Sequence, residues 1–422
     1  MEGYLNCGDP ARGFAWLECE GCASHRLIPF SCKGRGFCPS CAGRRMAEGS
    51  LRWAELFPPV RVRQFVLTVP YGRRLLIARD RALERGVHAT AMGCIERWYG
   101  TATGGGQTGS VSVTQRFGSS LRLNPHFHVL FVDGGYVRGK EGGVRFRPAR
   151  AHPSDVEALI VEIATACEAW LARQGHGPED AAEEADDEGM RLFQAAAVAG
   201  YSVVRGAPLR VARRVQRIGG RERELPPLCA SCDGWNLHAG VVVEAEDREG
   251  LLRLGRYLLR PPLAVDRLEV EPDGRVRFTM KRTFEDGTAA LSFTAEELVS
   301  RLVALIPPPR ANTIVYRGVF AGNASLRSAV VAEAPGKARP TTPFPRLRRQ
   351  KEPLKSKRLR PSWGEILYRV FAVDGWRCPG CGCRMTLRAV FEGGPTTSEV
   401  LASLRRSAAA SRGPPAAAAA AR

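Results

Sequence analysis

Two histidines one residue apart, a tyrosine set among arginines and clustered cysteines are the features of this sequence that could do chemistry. His126 and His128 lie in the segment LRLNPHFHVLFVDGG. Alternate residues of a strand point to one face. Both imidazoles can therefore reach one divalent cation, while Phe127 and Val129 point the other way into a core. The chain has only seven histidines. A pair on an otherwise apolar strand needs polar partners once buried. Two imidazoles would leave most coordination positions open to water and a phosphate oxygen, which suits a Lewis acid at a phosphodiester. A chance pair is the competing reading of a lone His-x-His. For a third ligand, Gln115 on the preceding strand-like run is the first candidate and His238 the second.

Tyr257 lies in DREGLLRLGRYLLRPP, where Leu251, Leu254 and Leu258 recur at helical spacing. At about 100° per residue the tyrosine falls at the rim of that apolar face. Its hydroxyl can then reach a groove. Arg253, Arg256 and Arg260 surround it, and cations there can hold a phosphate and favour a phenolate. Pattern alone favours a packing tyrosine over a catalytic one.

Cys19, Cys22, Cys38 and Cys41 form C-x2-C-x15-C-x2-C. This spacing predicts one closed tetrahedral zinc site. Cys7, Cys32 and His25 lie nearby and could add a second, partial site or simply be buried, the latter being favoured. Cys378, Cys381 and Cys383 form an incomplete cluster that Cys229 and Cys232 could complete in space.

Elements must position these groups. Strand-like runs occupy 62–70, 110–117, 126–137 and 237–245, and helical patterns cover about 73–100, 155–173 and 248–259, the last stopped by Pro261 and Pro262. The expected organisation is a zinc-binding domain at 1–50 and a catalytic domain at 60–333 with an insertion at about 150–235. A basic linker at 334–362, a Cys module at 363–392 and a disordered tail at 393–422 follow. The stretch 178–189 is acidic and reads as a solvated loop. No apolar run reaches the ~18 residues of a membrane span, and the start carries no secretory signal pattern. The expected setting is a reducing cytoplasm, where cysteines serve as metal ligands. Lys and Arg outnumber Asp and Glu by 62 to 43 in 422 residues, a net charge of +19. That excess points to a nucleic-acid partner.

Taken together, these segments resemble the rolling-circle transposases of the insertion sequence ninety-one and common-region type. The resemblance runs through CGDPARGFAWLECEGC, FSCKGRGFCPSCAGRRMAE, RQFVLTVP, QRFGSSLRLNPHFHVLFVDGGY, LHAGVVVEAEDREGLLRLGRYLLRPP, ALIPPPRANTIVYRGVFAGNASLR and WGEILYRVFAVDGWRCPGCGCRM. It implies an α+β fold: an HUH endonuclease core, an antiparallel sheet flanked by helices, with an amino-terminal zinc ribbon and a small carboxy-terminal Cys module. His126 and His128 would be the HUH pair holding Mg²⁺ or Mn²⁺, and Zn²⁺ would be structural. Tyr257 would attack single-stranded DNA at the element ends to give a 5′-phosphotyrosine. Double-tyrosine members carry a second tyrosine four residues away. Here those positions are Arg253 and Pro261, which implies a single-tyrosine form. The family usually has further residues before the zinc module, whereas this chain starts almost at Cys7. A zinc-dependent DNA-binding protein without catalysis is therefore a competing reading, as is a related replication initiator or relaxase.

Overall fold

The computed structural model describes residues 7–30, 38–118, 120–139, 143–177, 215–218, 221–263, 265–280, 287–307, 311–331, 363–371 and 373–410. The acidic stretch, the basic linker and the end of the tail lie outside these residues. The chain divides into two compact units, Met1–Glu48 with Pro353–Arg422, and Gly49–Glu352.

Along the chain, strands β1 (Phe14–Cys19) and β2 (His25–Pro29) precede helix α1 (Pro39–Leu56). Strand β3 (Val62–Thr68) leads to α2 (Arg74–Arg79) and α3 (Arg81–Ala102). The sequence pattern predicts one helix here. Asp80 divides it: its carboxylate accepts from the backbone N–H groups of Ala82 and Leu83 at 2.6 and 3.2 Å, as an N-cap does. Strands β4 (Gly109–Phe117) and β5 (Leu123–Val132) follow, then the hairpin β6 (Gly134–Arg138) and β7 (Val144–Pro148) and helix α4 (Pro153–Arg173). A short hairpin, β8 (Val215–Ile218) and β9 (Arg221–Glu224), precedes β10 (Cys229–Cys232) and β11 (Trp235–Val243). Helix α5 (Arg248–Leu259) comes next. A small sheet of β12 (Leu268–Val270), β13 (Val276–Thr279) and β14 (Ala290–Phe293), with α6 (Ala295–Ala304), leads to β15 (Ile314–Gly318). The carboxy-terminal segment forms α7 (Trp363–Phe371), β16 (Met385–Phe391) and α8 (Pro395–Ala410). The last helix stands where the sequence reads as a tail, with Thr397 and Leu401 buried.

In the second unit six strands form one antiparallel sheet, in the order β10-β11-β3-β5-β4-β15. Its two faces carry separate cores. On one, Phe65, Leu67, Phe127, Val129 and Phe131 pack with Val87, Met92 and Ile95 of α3 and Ile160 and Ile163 of α4. Helix α4, expected within an insertion, is thus part of this core. On the other face, Val62, Val111, Val113, Leu130 and Val132 pack with Trp53 and Phe57 of α1 and Leu251 and Leu258 of α5. The fold is a mixed α+β arrangement of antiparallel sheets and helices.

A buried ion pair ties the end of β5 to β3. Arg63 donates to both carboxylate oxygens of Asp133 at 2.9 and 3.0 Å and to the carbonyl of Ala239 at 2.8 Å. The Tyr99 hydroxyl donates to the same carboxylate at 3.0 Å. Removing one partner would strand a charge in the interior. Asp133→Ala is therefore expected to lower the unfolding free energy by about 3–5 kcal/mol, read as the urea midpoint. A loss below about 1 kcal/mol would mean that water reaches Arg63 and that the pair is not a structural tie.

His88 on α3 is buried against Phe127, ring centroids 5.2 Å apart, and its Nε2 has no hydrogen-bond partner. Burial, with Arg317 adding to it, pushes its pKa down to about 4. Below about pH 6.5 the unfolded chain takes up a proton that the folded chain refuses. Stability therefore falls as pH drops from about 6.5 through about 4, by up to about 1.4 kcal/mol per pH unit for this group. Replacing His88 by Phe should reduce that slope in urea titrations at pH 6.5 and 5.0. An unchanged slope would show that His88 does not contribute to it.

Candidate functional site

The site is built on β5, flanked on both sides by paired strands. The register sets Gln115 of β4 and Thr68 of β3 opposite His126, and Val113 and Val66 opposite His128. The alternation expected of the strand is present. Phe127 and Val129 lie in the first core, while His126 and His128 share the other face, their rings 4.8 Å apart.

Each imidazole is oriented by a second group. His126 Nδ1 is 2.7 Å from the carbonyl of Asn124, to which it donates, leaving the Nε2 lone pair free. His128 Nδ1 is 2.8 Å from the Gln64 side-chain amide, and its buried Nε2 has no partner. An amide can present either its oxygen or its nitrogen. With the oxygen toward Nδ1–H, His128 Nε2 also offers a lone pair, the usual state of a metal-binding histidine held by an outer partner. Burial pushes His126 down to about 4, opposed by the Asn124 carbonyl and reinforced by Arg260 and Arg74. Burial, with His126 and Arg260 adding to it, pushes His128 down to about 2. Both rings are neutral at ordinary pH, as ligation requires.

Gln115 is 3% exposed. Its Nε2 donates to the carbonyl of Leu258 at 2.6 Å and approaches that of Tyr257 at 3.4 Å. Its Oε1 is buried without a partner, as are Asn124 Oδ1 and His128 Nε2. Of these orphaned atoms, Gln115 Oε1 and His128 Nε2 lie on adjacent strands beside His126 and are what a bound cation would satisfy. These residues fit such an ion. His238 lies on β11, opposite Val66, which itself pairs with His128. It is thus two strands from the pair, ~10 Å at the usual strand spacing.

Helix α5 roofs this face. Asp247 caps it, accepting from Gly250 N–H at 2.6 Å. Arg260 after it is extended (φ −59°, ψ 148°), as a residue before proline must be. Gly255 permits close approach, since a Cβ there would stand 3.0 Å from that of Ser50. Tyr257 is 48% exposed, its ring 6.1 Å from that of His128. The Arg260 guanidinium lies 4.0 Å over the tyrosine ring. Arg256 is half-buried, and exposed Arg253 pairs loosely with Asp247 at 3.7 Å. The structure therefore brings His126, His128, Gln115, Tyr257 and Arg260 together, and holds Arg253 at the capping end of the helix. Gln64 was missed from sequence. Its signal is a polar residue inside the apolar run VRQFVLT that the structure buries. Tyr316 accepts from Trp53 Nε1 at 3.3 Å, consistent with a packing role.

The cysteines of the first unit correct the sequence expectation. Cys19, Cys22, Cys38 and Cys41 do not form one set. Cys19 and Cys22 cluster with Cys378 and Cys381, and Cys38 and Cys41 with Cys7. Spacing cannot reveal partners contributed by the far end of the chain. Cys229 and Cys232 lie on β10 of the second unit, and neither cysteine group found among the described residues includes them. His25 accepts from Trp16 Nε1 at 3.2 Å and stands outside both clusters, while Cys32 lies outside the described residues.

Among the described residues no helix is long and apolar enough to cross a membrane. No curated protein and no solved structure matches the chain. Two family models do. The zinc-binding domain of IS91 transposases matches residues 1–69, and the Y2 transposase family matches residues 109–328, over half the chain, which includes His126, His128 and Tyr257. The chain belongs to the IS91-type transposases.

Proposed function

We propose that this transposase nicks and rejoins single-stranded DNA at the ends of its element through an HUH-type core, with Tyr257 as the nucleophile. The observation that carries this reading is the exposed tyrosine set 6.1 Å, ring to ring, from a buried pair of neutral imidazoles, under a guanidinium. His126 and His128 would hold Mg²⁺ or Mn²⁺, with Gln115 Oε1 as the third protein ligand. Oxygen ligation by water and phosphate suits such hard cations. When bound, the ion would supply Lewis-acid polarisation of the scissile phosphate.

The protein's own groups do the rest. The Tyr257 oxygen attacks phosphorus and its proton passes to water. The P–O3′ bond breaks, and the leaving 3′ oxygen takes up a proton. The products are a 5′-phosphotyrosine and a free 3′-hydroxyl. Arg260 lies over the tyrosine ring, where its charge would neutralise a phosphate oxygen. Gln115 holds the last carbonyls of α5 and so fixes the tyrosine over the imidazoles. With Arg253 and Pro261 where a second tyrosine would stand, strand transfer must regenerate Tyr257. Attack of an acceptor 3′-hydroxyl on the phosphotyrosine does so, returning the proton to the phenolate.

Incubation with labelled single-stranded end DNA and Mn²⁺ should give a covalent protein–DNA species. Tyr257→Phe should lower its formation by at least ~10³-fold while DNA binding persists. A covalent species that survives the change would place the nucleophile elsewhere, and binding without any covalent species would favour the non-catalytic reading. Gln64→Leu removes the partner of His128 Nδ1 and should weaken Mn²⁺ binding by about 10–100-fold, measured by direct titration. Unchanged affinity would remove His128 from the ligand set or Gln64 from its support.

A further inference from the structure

We propose that one zinc ion joins the two ends of this chain, held by Cys19 and Cys22 of the amino-terminal segment and Cys378 and Cys381 of the carboxy-terminal segment. The zinc-binding family match ends at residue 69, so it assigns no role to the second pair. The four sulfurs lie within 4.8 Å of one another. Cys19 Sγ stands 3.3 Å from that of Cys381, and Cys22 Sγ 3.6 Å from that of Cys378. Four thiolates at the usual Zn–S distance of about 2.3 Å stand about 3.8 Å apart in a tetrahedron. The chain is free of disulfides among the described cysteines.

The backbone makes the arrangement. Strand β1 lies between β2 and β16 in a three-stranded antiparallel sheet, with Cys19 opposite Met385. That register carries the turn after β1 and the turn before β16 to one end of the sheet. Each turn is a C-x-x-C knuckle, CEGC at 19–22 and CPGC at 378–381. In the first, Ala23 N–H donates to the Cys19 carbonyl at 3.1 Å and Gly21 N–H lies 3.4 Å from Cys19 Sγ. In the second, Gly382 N–H donates to the Cys378 carbonyl at 2.9 Å. Glu20 N–H donates to the Arg384 carbonyl at 3.1 Å and fastens one knuckle to the other. Gly21 is required at this approach, since a Cβ there would meet Cys383 Sγ at 2.5 Å. A four-sulfur tetrahedron takes zinc or an iron–sulfur centre. Zinc agrees with the domain family. The zinc-binding domain is then a product of both termini, and the ion closes a loop of more than 350 residues that contains the whole transposase unit.

The test is the metal content of the purified full-length protein. Cys19→Ser with Cys22→Ser, and Cys378→Ser with Cys381→Ser, should each remove one zinc per chain. The four changes together should also remove only one. Zinc content unaffected by the second pair, or two equivalents lost in the fourfold variant, would overturn the proposal, as would iron in place of zinc. Alkylation of the unaltered protein tests the same site without risk of misfolding. Zinc should protect all four cysteines, and a chelator should expose them together. Alkylation of Cys378 and Cys381 in the zinc-loaded protein would equally overturn it. Neither readout depends on nuclease activity.

Discussion

The period-two alternation of β5, between β3 and β4 in the sheet, is the constraint on which the catalytic unit depends. The strand is covered on both faces, so every side chain must suit one core or the other. Phe127, Val129 and Phe131 fill the side of α3 and α4, and Leu130 and Val132 fill the side of α1 and α5. His126 and His128 take the same face as the second set, nearer the start of the strand, where the apolar packing gives way to polar groups. A slip of one residue would exchange the two sets. It would drive both imidazoles among phenylalanines and leave Phe127 at the tyrosine. Burial of that kind also fixes the protonation state. The rings are neutral because the sheet keeps water away and Arg260 lies near. The geometry and the electrostatics of the pair thus have one origin.

The second constraint is the seating of α5. A surface helix can rotate or slide by a few degrees at little cost, yet the proposed nucleophile must be held closely. Four separate contacts limit that freedom. Asp247 caps one end, Gly255 lets the helix approach Ser50, Leu251 and Leu258 are buried, and Gln115 grips the final carbonyls. Gln115 also sits directly opposite His126 across the ladder. One side chain therefore sets the helix end relative to the imidazoles, which neither packing nor capping alone would do.

Much of this was legible because it is local. The spacing of His126 and His128, the apolar stripe around Tyr257 and the prolines that end α5 all act within a few residues. The division of the expected helix at Asp80 was missed because a capping aspartate resembles any polar residue until the chain breaks there. Gln64 was missed because its role exists only across a strand pair. The cysteine pairing failed for the same reason on a larger scale. Local spacing favoured Cys38 and Cys41 as partners of Cys19 and Cys22, and the β1–β16 ladder overrode it by bringing in Cys378 and Cys381. Interactions that depend on register between distant segments carry no periodic signal in either segment.

The departure from the double-tyrosine pattern acquires a physical meaning at Pro261. A residue that precedes proline is kept out of the helical region, and Arg260 is accordingly extended. That turn of the backbone lets the guanidinium fold back over Tyr257 at 4.0 Å and toward Phe117 at 5.7 Å, rather than continue outward along the helix. Pro262 places the same restriction on position 261, so the helix ends at Leu259 and Arg260 does not continue it. The position that could have offered a second tyrosine instead sets a cation over the proposed nucleophile. In the proposed site the guanidinium over the tyrosine ring stays in place to neutralise a phosphate oxygen at each transfer. Proline at this position is therefore consistent with the proposed site, in which Arg260 is held over Tyr257.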